Sequence, residues 1–170
     1  MRITAVLLML LLGAGAGFAA TPSEPAFGPL WVYNGTWKIT KAGATPGTKP
    51  EELTNQCSAI GKYFVCQQSV NGTAVALWIA TEAGTPGRYH TQSVRPDGIA
   101  GGRGDLEISG DRWVFTSVWN QGGGKLTYNR TTNIFTGKNN IHFEQAESTN
   151  NRDWTVKSSG NEVRVGRAGR

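Results

Sequence analysis

The chain has 170 residues, with 17 basic against 12 acidic side chains and a formal net charge of +5 at pH 7. This length suits one ordinary domain with its own hydrophobic core. The basic residues are scattered, apart from a small group at the end of the chain formed by Arg164, Arg167 and Arg170. The charge pattern therefore does not favour a nucleic-acid-binding protein.

The N-terminus has the parts of a secretory signal peptide. Arg2 precedes an unbroken apolar run over residues 5–12, and Gly17 and Ala19 form the small-x-small pattern that signal peptidase reads. The apolar run is too short to span a bilayer, which takes about 20 apolar residues. We therefore predict a signal peptide over residues 1–19 and an exported protein, periplasmic or secreted, with no membrane span.

The remainder of the sequence is typical of an all-β domain. A proline-containing lead-in at 20–30 precedes it, and a short tail follows at 168–170. Between them, runs rich in Val, Ile, Thr and aromatic residues are separated by Gly, Asn, Asp, Pro and Ser at intervals of about 8–12 residues, as in a sandwich or barrel. We predict strands near 32–41, 53–60, 63–70, 74–81, 88–94, 102–108, 112–119, 125–130, 139–147, 152–158 and 162–167.

The two cysteines lie at positions that a β-hairpin would bring together. Gly61-Lys62 suits a two-residue type II′ turn, because glycine supplies the positive φ at its first position. Counting outward from that turn, Cys57 faces Cys66 in a non-hydrogen-bonded pair with Cα atoms about 4.5 Å apart. We predict a disulfide between them, since a redox or metal site would need other spacing and further ligands.

The sequence has no recognisable catalytic or metal-binding motif. His90 and His142 have no companion ligands at zinc-binding spacing, and there is no nucleophile elbow or nucleotide loop. Asp105 and Glu107 would share a strand face and are interpreted as solvated surface. We therefore predict no catalytic residues, no metal site and no enzyme activity.

The six tryptophans have two interpretations. They could fill the core, because tryptophan buries a large area and needs one hydrogen-bond acceptor, or line a cavity for an apolar or flat ligand. Alternation predicts that Trp37, Phe115, Trp119 and Phe143 point inward, and that Trp113 and Trp154 share that side. The predicted ligand-binding residues are Trp37, Trp78, Tyr89, Trp113, Phe115, Trp119, His142 and Phe143.

Sparse motifs across the chain give a family resemblance. Gly35-Thr36-Trp37 on the first strand resembles the Gly-x-Trp signature of lipocalin-like (calycin-type) barrels, and 111–115, 128–130, 147–149 and Asp153-Trp154 resemble bacterial exported members of unknown function. The resemblance implies a single up-and-down antiparallel β-barrel of about ten strands over 31–167, with a small-ligand cavity. Nitrobindin-type haem barrels are similar in outline, but their fuller glycine–tryptophan pattern is missing, so we expect no cofactor.

The resemblance also implies a contact that closes the barrel. In such barrels a basic residue near the end of the last strand often packs over the first-strand tryptophan, here Trp37. Alternation places Val163, Val165 and Arg167 on one face of the last strand, opposite Glu162 and Arg164. Taking the valine face as the inner one, we predict that Arg167 covers Trp37; the alternative is that both arginines are solvated.

Three functions remain open from the sequence. The first is an exported barrel that holds a small apolar or amphipathic ligand in an aromatic-lined cavity. The second is a structural or interaction module of the cell envelope with a filled core, and the third is an enzyme with a cryptic site. The sequence does not indicate the ligand or the oligomeric state.

Overall fold

The computed structural model describes residues 26–166, which form a 3₁₀ helix and ten strands. The predicted signal peptide, most of the lead-in, and Arg167 lie outside these residues. The helix spans Pro29–Tyr33. The strands are β1 Gly35–Lys41, β2 Glu51–Ile60, β3 Tyr63–Val70, β4 Thr73–Glu82, β5 Arg88–Val94, β6 Ala100–Ser109, β7 Arg112–Asn120, β8 Leu126–Phe135, β9 Asn140–Ser148 and β10 Thr155–Gly166.

The strands form one closed antiparallel barrel. Each strand pairs with the next along the chain, and β1 pairs with β10 to complete the ring. The prediction of an all-β, up-and-down barrel of about ten strands is therefore confirmed. Within residues 26–166, no helix combines the length and apolar character needed to cross a membrane.

The last strand is continuous where the sequence predicted two. Residues 159–161 resemble a turn in composition, but in the barrel they pair with β9, and Gly160 and Asn161 also pair with β1. Glycine is needed at position 160, because a Cβ there would collide with the carbonyl oxygen of Thr40 and press on the ring of Phe143. The turn-like composition therefore reflects close packing between neighbouring strands.

The hairpin of β2 and β3 has the predicted register. Ile60 faces Tyr63 across the Gly61-Lys62 turn, and Cys57 faces Cys66. Gly61 has a φ of +59°, as the first position of a type II′ turn requires. The cysteines form a disulfide with Cα atoms 4.0 Å apart. The predicted disulfide is confirmed.

The segment before β1 fills one end of the barrel, which we call the closed end. Leu30 is fully buried there, and the ring of Phe27 lies 5.8 Å from that of Phe64 and 6.3 Å from that of Tyr89. The Tyr89 hydroxyl donates a 2.9 Å hydrogen bond to the carbonyl of Ala26. The densest apolar core therefore lies at this end and not at the middle of the barrel.

The seam between β1 and β10 is closed by Arg164. Its guanidinium lies 4.3 Å from the ring centroid of Trp37, which is fully buried. The same guanidinium donates to the carbonyl oxygens of Asn34, at 2.6 Å, and of Val32. A cation at this position is favoured because those carbonyls end the 3₁₀ helix and need donors. Arg167, the predicted partner, lies outside the described residues.

The inner and outer faces of β10 are the reverse of those predicted. Val163 and Val165 are 46% and 49% exposed and point outward, while Glu162 lines the interior. The prediction that the valine face points inward is therefore wrong. Its assumption of an apolar inner face fails because this barrel interior is partly polar.

Candidate ligand cavity

A cavity of about 320 Å³ occupies the barrel between the closed end and the opposite rim. It exists because the inner positions of the strands in this half include many short polar side chains, which do not fill the space. Its wall is formed by Tyr33, Leu53, Asn55, Cys66, Gln68, Trp78, Thr91, Ser93, Gly102, Phe115, Thr116, Ser117, Trp119, Asn129, Thr131, Asn133, Phe143, Gln145 and Glu162.

Aromatic rings form one part of this wall. The ring of Trp78 lies 6.0 Å from that of Phe115 in an edge-to-face arrangement, and Trp119 and Phe143 contribute further ring surface. Gly102 creates the space that Trp119 occupies, because a Cβ at that position would overlap the indole nitrogen. The indole can therefore lie against the backbone of β6.

Tyr33, Asn133 and Glu162 form what we call the polar floor of the cavity, next to the closed end. The amide nitrogen Nδ2 of Asn133 donates a 2.9 Å hydrogen bond to the Tyr33 hydroxyl. Asn133 is only 6% exposed, and its Oδ1 has no hydrogen-bond partner among residues 26–166. A buried acceptor without a partner costs free energy.

Glu162 is the one charged side chain in the described part of the cavity wall, and it forms no ion pair with any residue in 26–166. Ile39 and Ile141 flank it on the neighbouring strands. Burial raises the pKa of Glu162 to about 7, because the carboxylate form loses hydration there. This carboxyl therefore changes charge near neutral pH.

The phenol of Tyr33 belongs to both the core and the polar floor. Its ring lies 5.4 Å from Trp113 and 5.9 Å from Phe115, both in the barrel interior. Burial raises the pKa of Tyr33 far above its usual value; the hydrogen bond from Asn133 opposes that shift and the nearby Glu162 adds to it. Tyr33 is therefore a neutral hydroxyl over the whole physiological range of pH.

A second polar pair lies higher on the wall. The Nε2 atom of Gln68 donates a 3.0 Å hydrogen bond to Oδ1 of Asn55, which is buried. This contact holds both amides against β2 and β3. The wall thus combines aromatic rings with fixed amides, which suits a molecule with both an apolar and a polar part.

The predicted ligand-binding residues separate into three groups. Those in the cavity wall are Trp78, Phe115, Trp119 and Phe143. Those in the core of the closed end or the seam are Trp37, Tyr89 and Trp113. His142 is on the outer surface, where its Nδ1 atom lies 3.1 Å from Oδ1 of Asn161. Alternation explains this, since His142 lies between the inward-facing Ile141 and Phe143.

Trp154 also does not face the interior, contrary to the prediction. It follows β9 outside any strand, and the guanidinium of Arg130 lies 4.3 Å from its ring centroid. Arg130 points outward because its neighbours Asn129 and Thr131 line the cavity. The contact therefore covers the outside of the barrel.

The polar floor was missed by the sequence analysis. Tyr33 lies in a predicted strand that is a 3₁₀ helix, and Asn133 lies beyond the predicted end of its strand at 130. Glu162 could have been found from the Gly-x-Trp resemblance. Assigning Arg164 to Trp37 places Arg164 inward, and Glu162 then faces the same way two residues earlier.

The remaining candidate chemistry lies on the surface. Asp105 is 2.7 Å from Nδ1 of His90, and Glu107 is 3.1 Å from Arg88, with all four side chains more than half exposed. Among the residues that the structure describes, no three His, Cys, Asp or Glu side chains gather in a way that could hold a metal ion.

Fold and site together define a closed ten-stranded antiparallel β-barrel with a cavity that is aromatic on one side and polar at its floor. Among solved structures, the chain is similar to the crystal structure of Rv2717c from M. tuberculosis. The two share 15% sequence identity with a TM-score of 0.49, and the match covers 84% of this chain and 98% of that chain. No family model matches the sequence, and no curated protein matches it.

Proposed function

We propose that this protein is an exported, non-enzymatic, lipocalin-like barrel that binds a small amphipathic molecule in its cavity. The observation that carries the proposal is the cavity of about 320 Å³, which has room for a small organic molecule. An interior of this volume also favours binding over the alternative of a structural module with a filled core.

The chemistry of the wall supports an amphipathic ligand. Trp78, Phe115 and Phe143 would bury an apolar group, which is worth about 25 cal/mol per Å² of apolar surface. The carboxyl group of Glu162 at the floor would pair with a polar group. A purely apolar ligand would leave that carboxyl group without a partner, so the polar floor favours a molecule with a polar end.

The proposal is tested by blocking the cavity from within. Ser117 lines the cavity, whereas Val118, the next residue of β7, is 42% exposed on the outer face. Ser117→Phe should abolish binding of the neutral fluorescent probe N-phenyl-1-naphthylamine, and Val118→Phe should leave it unchanged. Native mass spectrometry of protein from its own host should show a bound small molecule. Equal probe binding by both variants and the wild type would reject the cavity as the site.

A further inference from the structure

We propose that the cavity selects a small organic cation, an ammonium group on an aromatic or apolar body, with the carboxylate of Glu162 as its counter-ion. This inference rests on the proposed function and narrows its ligand to one charge type. It is drawn from the position of the one charged side chain in the described wall, a carboxyl group that shares the cavity with four aromatic rings.

The charge of the wall favours a cation over an anion. Glu162 is the single charged group in the described wall, and no Lys or Arg among residues 26–166 lines the cavity with it. Charges interact more strongly in a partly buried site than in bulk water, so an ionised Glu162 would attract a cation and repel a carboxylate or phosphate. Basic side chains on the exterior of residues 26–166 act on the cavity only through a field that salt screens.

The hydrogen-bonding groups of the floor fit an ammonium. The carboxylate of Glu162 only accepts hydrogen bonds. An ammonium carries several donors and no acceptor, so it matches a floor whose charged group only accepts. A hydroxyl carries one donor and no charge, so it would pair with the carboxylate less strongly.

The aromatic part of the wall fits the same ligand. Trp78, Phe115, Trp119 and Phe143 present ring surface to the cavity. A cation over an aromatic face is attracted by the ring quadrupole, and aromatic rings around a substituted ammonium are a recurrent mode of recognition. The same rings would bury the apolar body of the ligand, so a single molecule would contact both the aromatic and the polar parts of the wall.

Ionisation of Glu162 would make this binding depend on pH. The neighbouring strands present Trp37 and Ile39 from β1 and Ile141 and Phe143 from β9, none of which titrates. The titratable groups that face it are Tyr33, which stays neutral, and Arg164 on its own strand, whose guanidinium is engaged with Trp37 and the carbonyls of Asn34 and Val32. A cation would bind the ionised form, so affinity should rise with pH as Glu162 loses its proton.

The test compares three probes that differ in charge on one aromatic body: phenethylamine, 2-phenylethanol and phenylacetate. Isothermal titration calorimetry at about pH 8 should show the amine binding at least about tenfold more tightly than the alcohol, with phenylacetate weakest. At about pH 5 the amine should lose most of that advantage, because Glu162 is then protonated while the amine keeps its charge.

Variants separate the carboxylate from the rest of the cavity. Glu162→Gln should weaken the binding of phenethylamine at least about tenfold at pH 8 and leave the affinity for 2-phenylethanol nearly unchanged. Glu144 lies between Phe143 and Gln145, which line the cavity, so it points to the outer face of β9. Glu144→Gln removes the same charge there and should change the binding of neither probe. Circular dichroism and the retained alcohol binding show whether the Gln variant is folded.

Each outcome decides between the two proposals. If the alcohol binds as tightly as the amine, or the Gln variant binds the amine like the wild type, cation selection is overturned while the cavity remains a binding site. If phenylacetate binds best, the charge argument is overturned. If none of the probes binds and N-phenyl-1-naphthylamine also fails, both proposals fall.

Discussion

The guanidinium of Arg164 lies 4.3 Å from the ring centroid of Trp37 and so joins the last strand of the barrel to the first. This contact is reinforced by hydrogen bonds from the same guanidinium to the carbonyls of Asn34 and Val32. One side chain thus links β10, β1 and the 3₁₀ helix. Removing it affects the seam and the closed end together.

Arg164→Ala should lower the free energy of unfolding by about 2–4 kcal/mol, from the loss of a buried cation–π contact and charge-assisted hydrogen bonds. Urea denaturation followed by far-UV circular dichroism measures the change. Arg130→Ala is the matched control, because its guanidinium stacks on Trp154 at the same 4.3 Å but outside the barrel. It should cost less than about 1 kcal/mol. An equal loss of unfolding free energy in both variants would show that the seam contact is no more stabilising than the surface one.

Glu162→Gln should change how stability depends on pH. The pKa of Glu162 rises from 4.5 to about 7 on folding, so the native protein holds this proton more tightly than the unfolded chain. Its stabilising effect is complete below about pH 4.5 and is lost as pH rises through about 7. Relative to the wild type, the Gln variant should gain about 3 kcal/mol between about pH 4 and pH 8.

Urea denaturation of Glu162→Gln and of the wild type across this range of pH measures that gain. Glu144→Gln, on the outer face of the neighbouring strand, is the matched control and should not reproduce that gain. If the curves for the wild type and Glu162→Gln stay parallel, the carboxyl group is already hydrated in the folded state.

Replacing Cys57 and Cys66 together by alanine should lower the stability by about 3 kcal/mol or less, because the loop that the disulfide closes is short. The far-UV circular dichroism spectrum should be unchanged, since the register of the hairpin is also set by the turn at Gly61. Thermal melting with and without a reducing agent gives the comparison. Reductant should destabilise the wild type and leave the double variant unaffected.

Gly102→Ala should displace the indole of Trp119 and destabilise the protein by about 1–3 kcal/mol, as overpacking commonly does. Gly166→Ala is the control, because a Cβ there meets Thr36 at an ordinary 3.7 Å. That variant should be nearly neutral. The displaced indole should also shift tryptophan emission and weaken binding of N-phenyl-1-naphthylamine, so an unchanged spectrum in the Gly102 variant would contradict the account of the wall.

The hairpins of this fold were predictable from the sequence because local rules determine them. The turn at Gly61-Lys62 sets the pairing of Cys57 with Cys66 by counting alone, and the structure has that register. Inner positions were harder to predict. We expected strand β8 to end at 130, because Thr131 and Asn133 resemble turn residues. The strand instead runs to Phe135, and both of these side chains line the polar interior.

The polar interior also explains why the inner and outer faces of β10 were predicted the wrong way round. A rule that places apolar side chains inside and polar ones outside assigns Val163 inward and Glu162 outward. In a barrel with a polar cavity the rule fails for the strands that line it, and those strands carry the candidate site. The error therefore falls on the part of the sequence that matters for binding.

The pairing of β1 with β10 has a consequence for how the chain folds. All other neighbouring strands are consecutive, whereas the seam joins residues as far as 132 positions apart, such as Val32 and Arg164. Local hairpins can form early, but the ring cannot close until the final strand is available, and contacts of such separation slow folding. Until then the curved sheet has two bare edges that another chain could pair with. The guanidinium that completes the seam therefore also ends the period in which a newly made chain is most exposed to aggregation.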